Sequence, residues 1–541
     1  MSKIRLKKIL AMTLLTALVG STFLGCGSTE NTVSSGNVEQ KIVYNIDANP
    51  KTIDPQLNSA VDGSKVIRNT FEGLMREIEN GEVENGIAEG YEVSEDGLVY
   101  TFHIRDNAKW SDGEDVTAKD FEYAWKRALN PNTAAEYAYQ LFYIKNGEAY
   151  NKGEASADDV GIKVVDNKTI EVTLESAVPY FVSLLAMPVY YPVRQDIIEE
   201  NGDKWALSPE TYVSNGPFKM TEWSEKESMT FIKNENYWDA DNVKLETLVF
   251  RLIDDQTTTL SAFKNGELDI MEQPPTTEIQ SLIDEGVAKV YPYLGTYFYM
   301  VNVSGKGLSS EAVDALQDVR VRKALSLAID RNLITEKVSM GGEIPATSYV
   351  PEGVKDTQGN TFHKDYSSVT TNIEEAKKLL EEAGYPNGQG FPTITFTYNT
   401  ASNNQMIAQA IQDMWKTNLG INVELKNEEW AVFQTTRNNF QYEICRHGWI
   451  GDYVDPMTFL DLWVTNGGNN DCGFSNAKYD ELIAAAKIET DSAKRLEMLR
   501  QAEDILMDEM PVLPIYYYTT VMAWNDNVKG VNISTLGKIS F

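Results

Sequence analysis

The sequence is poor in the residues that build disulfide frameworks and metal centres. Its 541 residues include three cysteines and three histidines. Cys26, Cys445 and Cys472 form no CxxC pair, and three cysteines are too few for a disulfide framework, so neither that framework nor a structural zinc site is expected. Cys445 and Cys472 could pair in an oxidising compartment or remain two buried thiols, and the sequence leaves both alternatives open.

Recognisable catalytic motifs are also missing. The chain contains no HExxH, GxSxG, Walker A or GxGxxG segment. His103 falls in a predicted strand, where a structural role is expected. With 80 acidic residues, pairs of carboxylates arise by chance and do not by themselves indicate general acid–base chemistry. The sequence therefore argues against an enzyme and predicts no cofactor.

Basic charge is scarce relative to acid. Lysine and arginine total 48 against 80 aspartates and glutamates, giving a net charge of −32. A surface of this sign repels nucleic acid and keeps the protein soluble, so no nucleic-acid partner is expected. The hydrophobic content of 42% is that of a folded protein, and the length predicts two or three lobes.

A long apolar run occurs only near the N-terminus. It extends over residues 9–24 after four basic residues, and it is short for a membrane span. We interpret residues 1–25 as a secretion signal. The Gly25-Cys26 pair that ends it resembles a bacterial lipobox, which predicts cleavage before Cys26 and lipidation of its thiol. The polar residues 26–40 cannot bury a core and predict a flexible tether.

The rest of the chain mixes strand and helix patterns. Residues 41–46, 100–104 and 169–174 have strand composition. Residues 394–398 and 421–425 have it too, and a helical pattern over 404–418 separates them. Strand, helix and strand in this order predict a parallel α/β unit. Asn372 and Asp318 are predicted helix N-caps.

An ordered set of short motifs carries a family resemblance. The motifs include Ile53-Asp54-Pro55, Phe71-Glu72-Gly73-Leu74, Trp110-Ser111-Asp112-Gly113, Asn215-Gly216-Pro217-Phe218, Glu428-Glu429-Trp430 and Gly448-Trp449-Ile450-Gly451-Asp452-Tyr453. Each is weak alone, but in this order over about residues 41–541 they resemble the dipeptide/oligopeptide-binding proteins of bacterial ABC importers, extracellular solute-binding protein family 5. The oligopeptide subgroup is the most similar.

The resemblance implies an α/β fold, a type II periplasmic-binding-protein clamshell with an extra domain in its N-terminal lobe. The implied first lobe combines residues 41–71, 190–293 and 512–541, and residues 72–189 form the extra domain. Residues 294–511 form the second lobe. The implied function is capture of short peptides between the lobes for an importer's membrane subunits, by a monomer anchored through lipid on the outer face of the cytoplasmic membrane.

The same resemblance implies a set of ligand-binding residues. Asp452 would hold the ligand's terminal ammonium. Strand pairing with the ligand would come from Gly448, Trp449 and Ile450 and from Ser59, Ala60 and Val61. Trp430, Trp449 and Tyr517 would form pocket walls, and Arg437 and Arg446 would meet the ligand carboxylate. A binder that accepts many peptides must use groups that every peptide offers, namely its backbone and its charged ends.

Some features depart from the family pattern or leave the cargo open. Gly295 and Ile450 stand where some relatives carry a cysteine pair, so that disulfide is absent here. The same fold serves nickel chelates, haem and oligosaccharides in other relatives, and a peptide-pheromone receptor is a further alternative. Asp452 favours a ligand with a free ammonium, and the few histidines disfavour a metal.

Overall fold

The computed structural model describes residues 39–78, 81–178, 180–355 and 361–540. The predicted signal, Cys26 and most of the predicted tether lie outside these residues. From Gln40 onward the chain forms one compact unit. Its strands are β1 (Lys41–Asn45), β2 (Met75–Glu77), β3 (Val83–Asn85), β4 (Ala88–Val93), β5 (Val99–Ile104), β6 (Ile162–Asp166), β7 (Thr169–Thr173), β8 (Phe218–Ser224), β9 (Ser228–Lys233), β10 (Thr247–Arg251), β11 (Ile270–Glu272), β12 (Ala288–Val301), β13 (Ile344–Pro345), β14 (Ile394–Asn399), β15 (Val423–Glu428), β16 (Ile444–Ile450), β17 (Val512–Trp524), β18 (Asn532–Ile533) and β19 (Ile539–Ser540).

Helices fill the connections between these strands. They are α1 (Val61–Thr70), α2 (Ala118–Leu129), α3 (Gly147–Asn151), α4 (Phe181–Leu184), α5 (Gln195–Asn201), α6 (Gln256–Lys264), α7 (Thr276–Asp284), α8 (Glu311–Leu316), α9 (Val319–Leu327), α10 (Arg331–Leu333), α11 (Ile373–Glu382), α12 (Ser402–Leu419), α13 (Trp430–Asn438), α14 (Met457–Leu460), α15 (Ala477–Ile488) and α16 (Ser492–Glu509). A π-helical turn, Ile334–Ser339, follows α10, and short 3-10 turns occupy several loops.

One long sheet joins the two halves of the unit. Its order is β15-β14-β16-β12-β17-β11-β1-β10-β9-β8, and β13 pairs with β17. The two longest strands, β12 and β17, are antiparallel neighbours at its centre, and their register shifts between Pro292 and Thr296. On one side β16 pairs with β12, and on the other β11 pairs with β17. Strands β12 and β17 therefore connect the group β15-β14-β16 on one side with the group β11-β1-β10-β9-β8 on the other.

A separate four-stranded antiparallel sheet, β4-β5-β7-β6, lies within the predicted extra domain. Its strands β5 and β7 alternate buried and less buried residues, as their sequence pattern predicts. His103 lies in β5, where its Nε2 contacts Glu92 at 2.8 Å. The domain boundaries inferred from the resemblance stay a prediction.

Local signals in the sequence identified several elements correctly. Strands β14 and β15 pair in parallel around α12, which confirms the predicted α/β unit, although β15 begins at Val423 rather than at residue 421. The side chain of Asn372 accepts a hydrogen bond from the Glu375 N–H, and Asp318 accepts one from Arg320. Both predicted N-caps are confirmed. Cys445 and Cys472 are buried free thiols, so the unpaired alternative holds in this structure.

Candidate functional site

A cavity of about 740 Å³ lies between the central sheet and α1. Its lining includes residues 58–69 around the start of α1, residues 399–404 at the end of β14, residues 446–452 of β16 and the loop after it, and Tyr516, Tyr518 and Thr519 of β17. Parts of residues 44–49, 429–437 and 536–539 also line it, as does Glu272. The volume lies in the range of small-molecule and peptide pockets. Ten of the eleven predicted ligand-binding residues line this cavity, and Tyr517 does not.

Strand β16 presents one edge to the cavity. On one side it pairs with β12 at every position from Ile444 to Ile450. On the other side β14 pairs with it only at Ile444 and Cys445. From Arg446 onward this second edge has no strand partner among the described residues. Backbone groups on such an edge can pair with an added extended chain.

Gly448 is fixed in this edge by two neighbours. A Cβ at this position would lie 2.1 Å from the Tyr518 hydroxyl, so no larger residue fits without moving that ring. The Gly448 N–H donates to Nδ1 of His447 at 2.7 Å. Burial and the charges of Arg437 and Arg446 hold the pKa of His447 well below its usual value, so the neutral ring can accept this bond. The N–H predicted to pair with a ligand is thus engaged here.

Asp452 follows β16 and carries one of the carboxylates that line the cavity. Its Oδ1 accepts a hydrogen bond from the Tyr137 hydroxyl at 3.4 Å. Its Oδ2 is buried and has no hydrogen-bond partner among the described residues. Burial raises the pKa of Asp452 to about 7, the charge of Arg68 acts to lower it, and Asp461 acts to raise it. A buried acceptor of this kind is costly unless a donor meets it.

The two predicted arginines differ in how their charges are balanced. Arg437 is buried and forms a salt bridge with Asp471, its Nε lying 2.9 Å from Oδ2. Arg446 donates to the Tyr518 hydroxyl at 2.8 Å and stacks over Tyr297. No carboxylate of the described residues lies within salt-bridge distance of Arg446, and its Nε is buried without an acceptor. Arg446 is therefore the guanidinium with capacity left for an anion.

The opposite wall is the entry to α1. Ala60 has extended backbone angles and precedes the helix, and Ser59, Ala60 and Val61 all line the cavity. The carbonyl of Ala60 accepts hydrogen bonds from the Asn58 side chain and the Ser64 N–H. This short extended stretch faces the cavity that β16 borders from the other side.

The aromatic wall partly differs from expectation. Trp430 begins α13 and stacks on Phe433. Trp449 stacks on Tyr137, with ring centroids 6.1 Å apart. The assignment of Tyr517 to the wall is wrong.

Side chains alternate across a strand, so Tyr516 and Tyr518 face the cavity while Tyr517 points to the other side of the sheet. There the Tyr517 hydroxyl contacts the Ser348 hydroxyl at 2.7 Å.

Several cavity residues were not identified from the sequence. Tyr137 and Arg68 act on Asp452 from distant parts of the chain, and only the tertiary fold brings them there. Asp47, Asp62 and Glu272 add carboxylates to the lining. Asp62 directly follows the matched residues 59–61, and that adjacency was the one signal available for it.

The described part of the chain offers no metal centre and no membrane helix. No group of three or more histidines, cysteines, aspartates or glutamates within it could hold a metal ion. No helix within it is both long and apolar enough to cross a bilayer.

Comparison with known proteins identifies the family. Residues 82–471 match the family described as bacterial extracellular solute-binding proteins, family 5 middle. The chain belongs to this family. Oligopeptide-binding protein OppA of Bacillus subtilis (strain 168) is 43% identical over 528 residues, which cover 96% of this chain and 95% of that protein. The family 5 chain is thus a solute-binding protein and not an enzyme.

Solved structures show the two-lobed α/β fold of family 5. Listeria monocytogenes OppA bound to peptide has a TM-score of 0.86 and 31% identity, with 92% of this chain and 97% of that chain covered. Escherichia coli MppA, a murein tripeptide binding protein, has a TM-score of 0.84 and 34% identity, with 90% and 94% covered. The unliganded open form of MppA scores 0.61 at 34% identity, with 90% and 93% covered.

Proposed function

We propose that this chain captures short peptides for an ABC importer and holds the peptide's ammonium on Asp452. The observation that carries the proposal is the buried Oδ2 of Asp452, which lacks a hydrogen-bond donor among the described residues, in a residue that lines the cavity beside the unpaired edge of β16. An ammonium placed there would donate a charge-assisted hydrogen bond and satisfy the oxygen. Family 5 membership and the peptide-binding relatives support the same ligand class.

The charges of the cavity complement a zwitterion. Asp452 provides a carboxylate whose Oδ2 receives no hydrogen bond from the described residues. Arg446 provides a guanidinium that forms no salt bridge with a carboxylate of the described residues. Both lie on the β16 segment, separated by the strand edge that could pair with a peptide backbone. A free peptide carries an ammonium at one end, a carboxylate at the other and a backbone between them, so it can use all three features.

Backbone pairing accounts for broad selectivity. Strand edges contact main-chain groups, which every peptide shares, and so carry little sequence information. The Gly448 N–H must leave His447 before it can join such a pairing, because its hydrogen is already donated. We therefore propose that the peptide first contacts the protein through its amine and through the backbone groups of the β16 edge that have no partner. The Gly448 N–H would pair with the peptide backbone in a later step.

A layer of aromatic contacts supports lobe closure over the ligand. Tyr137 stacks on Trp449, and Tyr180 stacks on Tyr453 with ring centroids 5.7 Å apart. Arg495 packs over the Tyr180 ring. The tyrosines at 137 and 180 belong to the predicted extra domain, and their partners belong to the predicted second lobe. The lower TM-score against open MppA than against the other MppA structure is consistent with a closed arrangement.

The sequence supports secretion and lipid anchoring through Cys26. A basic start, an apolar run and Gly25-Cys26 precede a polar stretch, which is the order found in bacterial lipoproteins. Two acyl chains give stable anchoring, whereas a single chain binds membranes only marginally. The binding body would then remain close to the importer's membrane subunits.

Mass spectrometry of protein extracted from washed membranes tests the proposal. Denaturation should release a mixture of intact short peptides, because backbone pairing accepts many sequences. The N-terminal fragment should begin at acylated Cys26. Recovery of a single non-peptide compound would contradict the ligand class. An unprocessed N-terminus, or an unmodified Cys26, would contradict the anchor without affecting the ligand class.

A further inference from the structure

A second group of carboxylates lines the cavity near the start of α1. Asp47, Asp62 and Glu272 belong to it, and Lys65 is the cation placed among them. Lys226 also lines the cavity, but its side chain is exposed. This acidic wall, defined as Asp47, Asp62 and Glu272, is not needed to hold a peptide's ammonium or carboxylate.

Glu272 is the member of the acidic wall whose negative charge is balanced by a salt bridge. Its Oε2 forms a salt bridge with Lys65 and accepts a hydrogen bond from the Tyr44 hydroxyl. Its Oε1 accepts from Thr520 at 3.4 Å. The charge of Lys65 holds the pKa of Glu272 below its usual value although burial acts to raise it. The positive charge of Lys65 is thus largely engaged by this one carboxylate.

Asp62 is buried but unsatisfied. It exposes only 9% of its surface, and both of its carboxylate oxygens lack a hydrogen-bond partner among the described residues. Burial raises the pKa of Asp62, while nearby backbone N–H groups, the Trp430 indole and Lys65 act to lower it. The helix start and Trp430 therefore stabilise the charge only in part, and Asp62 is one of the residues that line the cavity.

Asp47 completes the wall from an unusual backbone conformation. Its φ of 70° lies in the left-handed region, which non-glycine residues seldom adopt. Its Oδ1 accepts from the Asn45 amide at 3.0 Å, and the side chain remains accessible. Although the residue is exposed by its surface area, the protein around the cavity desolvates the carboxylate and raises its pKa to about 7. Lys65 acts to lower the pKa, and Glu272, Asp62 and Asp254 act to raise it. The negative charge of Asp62 thus helps to raise the pKa of Asp47, and both residues line the same cavity.

We infer that Asp47 and Asp62 form a subsite for a basic side chain of the bound peptide. A lysine ammonium or arginine guanidinium placed there would donate to the free oxygens of Asp62 and relieve its repulsion with Asp47. A metal ion does not fit, because no group of three such ligands in the described chain could hold one. The inference rests on the proposed function, since it names which side chains the captured peptide favours.

The position of the subsite follows from α1. Asp62, Lys65 and Arg68 lie along the cavity face of this helix, and Arg68 acts on Asp452. At 1.5 Å per residue, Asp62 is about 9 Å from Arg68 along the helix axis. An extended peptide advances by about 3.3 Å per residue, so the distance corresponds to two to three residues. Counted from the first residue, whose ammonium lies at Asp452, the favoured basic side chain is therefore that of the third or fourth peptide residue.

Calorimetry with substituted tetra-alanine peptides tests this subsite. Lysine and its uncharged analogue norleucine are placed in turn at each of the four positions. The parent protein should bind the lysine peptide at least about tenfold better than the norleucine peptide at the third or fourth position, because only lysine can make the charge-assisted contact. Asp62→Asn should reduce that ratio at least about fivefold.

Asp158→Asn is the matched control, because it removes the same charge from an exposed residue that does not line the cavity. It should leave the ratio unchanged. Equal binding of lysine and norleucine peptides at both positions would overturn the subsite, and so would an unchanged ratio in Asp62→Asn. If tetra-alanine still binds in either case, the proposed function is not affected. Failure of tetra-alanine itself to bind would contradict the proposed function, and the subsite with it.

Discussion

At the scale of single residues, the proposed contact between Asp452 and the peptide's ammonium depends on the burial of this carboxyl group. Its pKa of about 7 means that the empty protein holds this carboxyl partly protonated at neutral pH. An ammonium beside it favours the charged form and must lower that pKa. Binding therefore releases a proton from Asp452 at pH values between that lowered pKa and about 7.

This linkage predicts how peptide affinity depends on pH. As the pH falls below about 7, affinity should fall by up to tenfold per unit, because ligand must first displace the Asp452 proton. Above about pH 8 it should fall again, because the peptide's amino group, with a pKa of about 7.7–8.0, loses its charge. Calorimetry from about pH 5.5 to pH 9 should give an optimum near pH 7–8. Asp452→Asn should abolish the acid limb, and an equally steep acid limb in that variant would contradict the assignment.

At the scale of elements, local patterns were predictable and long-range contacts were not. The unit of β14, α12 and β15 follows from strand and helix periodicity within one stretch of chain. The Asn372 and Asp318 caps follow from one side chain and the next turn. Tyr137 reaches Asp452 across 315 positions, and no local pattern indicates such a contact.

In the candidate site, too, local motifs were predictable from the sequence and long-range contacts were not. The motif Gly448–Tyr453 led to Asp452 and to the β16 edge because its residues are contiguous. The same reasoning misassigned Tyr517, since three adjacent tyrosines do not indicate which of them faces the cavity. Arg437 and Arg446 were equivalent in the sequence, and only the position of Asp471 shows that Arg437 is already paired. The sequence thus identifies candidate groups, whereas the packing decides their partners.

The stack of Tyr180 on Tyr453 supports a prediction about the aromatic contacts between the predicted extra domain and the predicted second lobe. Tyr180 does not line the cavity, so its removal changes no direct ligand contact. Tyr180→Ala removes the stack and the Arg495 cation–π contact, together worth about 1–2 kcal/mol. If these contacts exist only in the closed state, peptides should dissociate about five- to thirtyfold faster, as measured by stopped-flow fluorescence.

Tyr91→Ala is the control for this variant. Tyr91 is an exposed aromatic of the same predicted extra domain, and it contacts Tyr100 and Phe102 within that domain. Its removal should leave the dissociation rate unchanged. A Tyr180→Ala protein that keeps its melting temperature and the parent dissociation rate would show that the layer plays no part in closure.

At the scale of the whole molecule, one continuous sheet runs through both strand groups, and its central strands β16 and β17 contribute residues to the cavity lining. Strands β12 and β17 pair with each other at the centre of the sheet, and β16, which carries the proposed ligand edge, pairs directly with β12. A relative movement of the two lobes about these strands would therefore carry the β16 edge and Asp452 towards α1. Capture and closure would be one process, with the peptide's amine as the group that both lobes enclose.

A double-mutant cycle on the amine tests the central claim most directly. Calorimetry would compare a free and an N-acetylated peptide on the parent protein and on Asp452→Asn, which keeps the size and shape of the side chain. Removing one partner of a buried charge pair should weaken binding by about 2–5 kcal/mol, roughly thirtyfold to several thousandfold. Acetylation should weaken parent binding similarly, and should cost the variant much less. Additive effects of the two changes would contradict the account, because they would mean that Asp452 does not hold the peptide's amine.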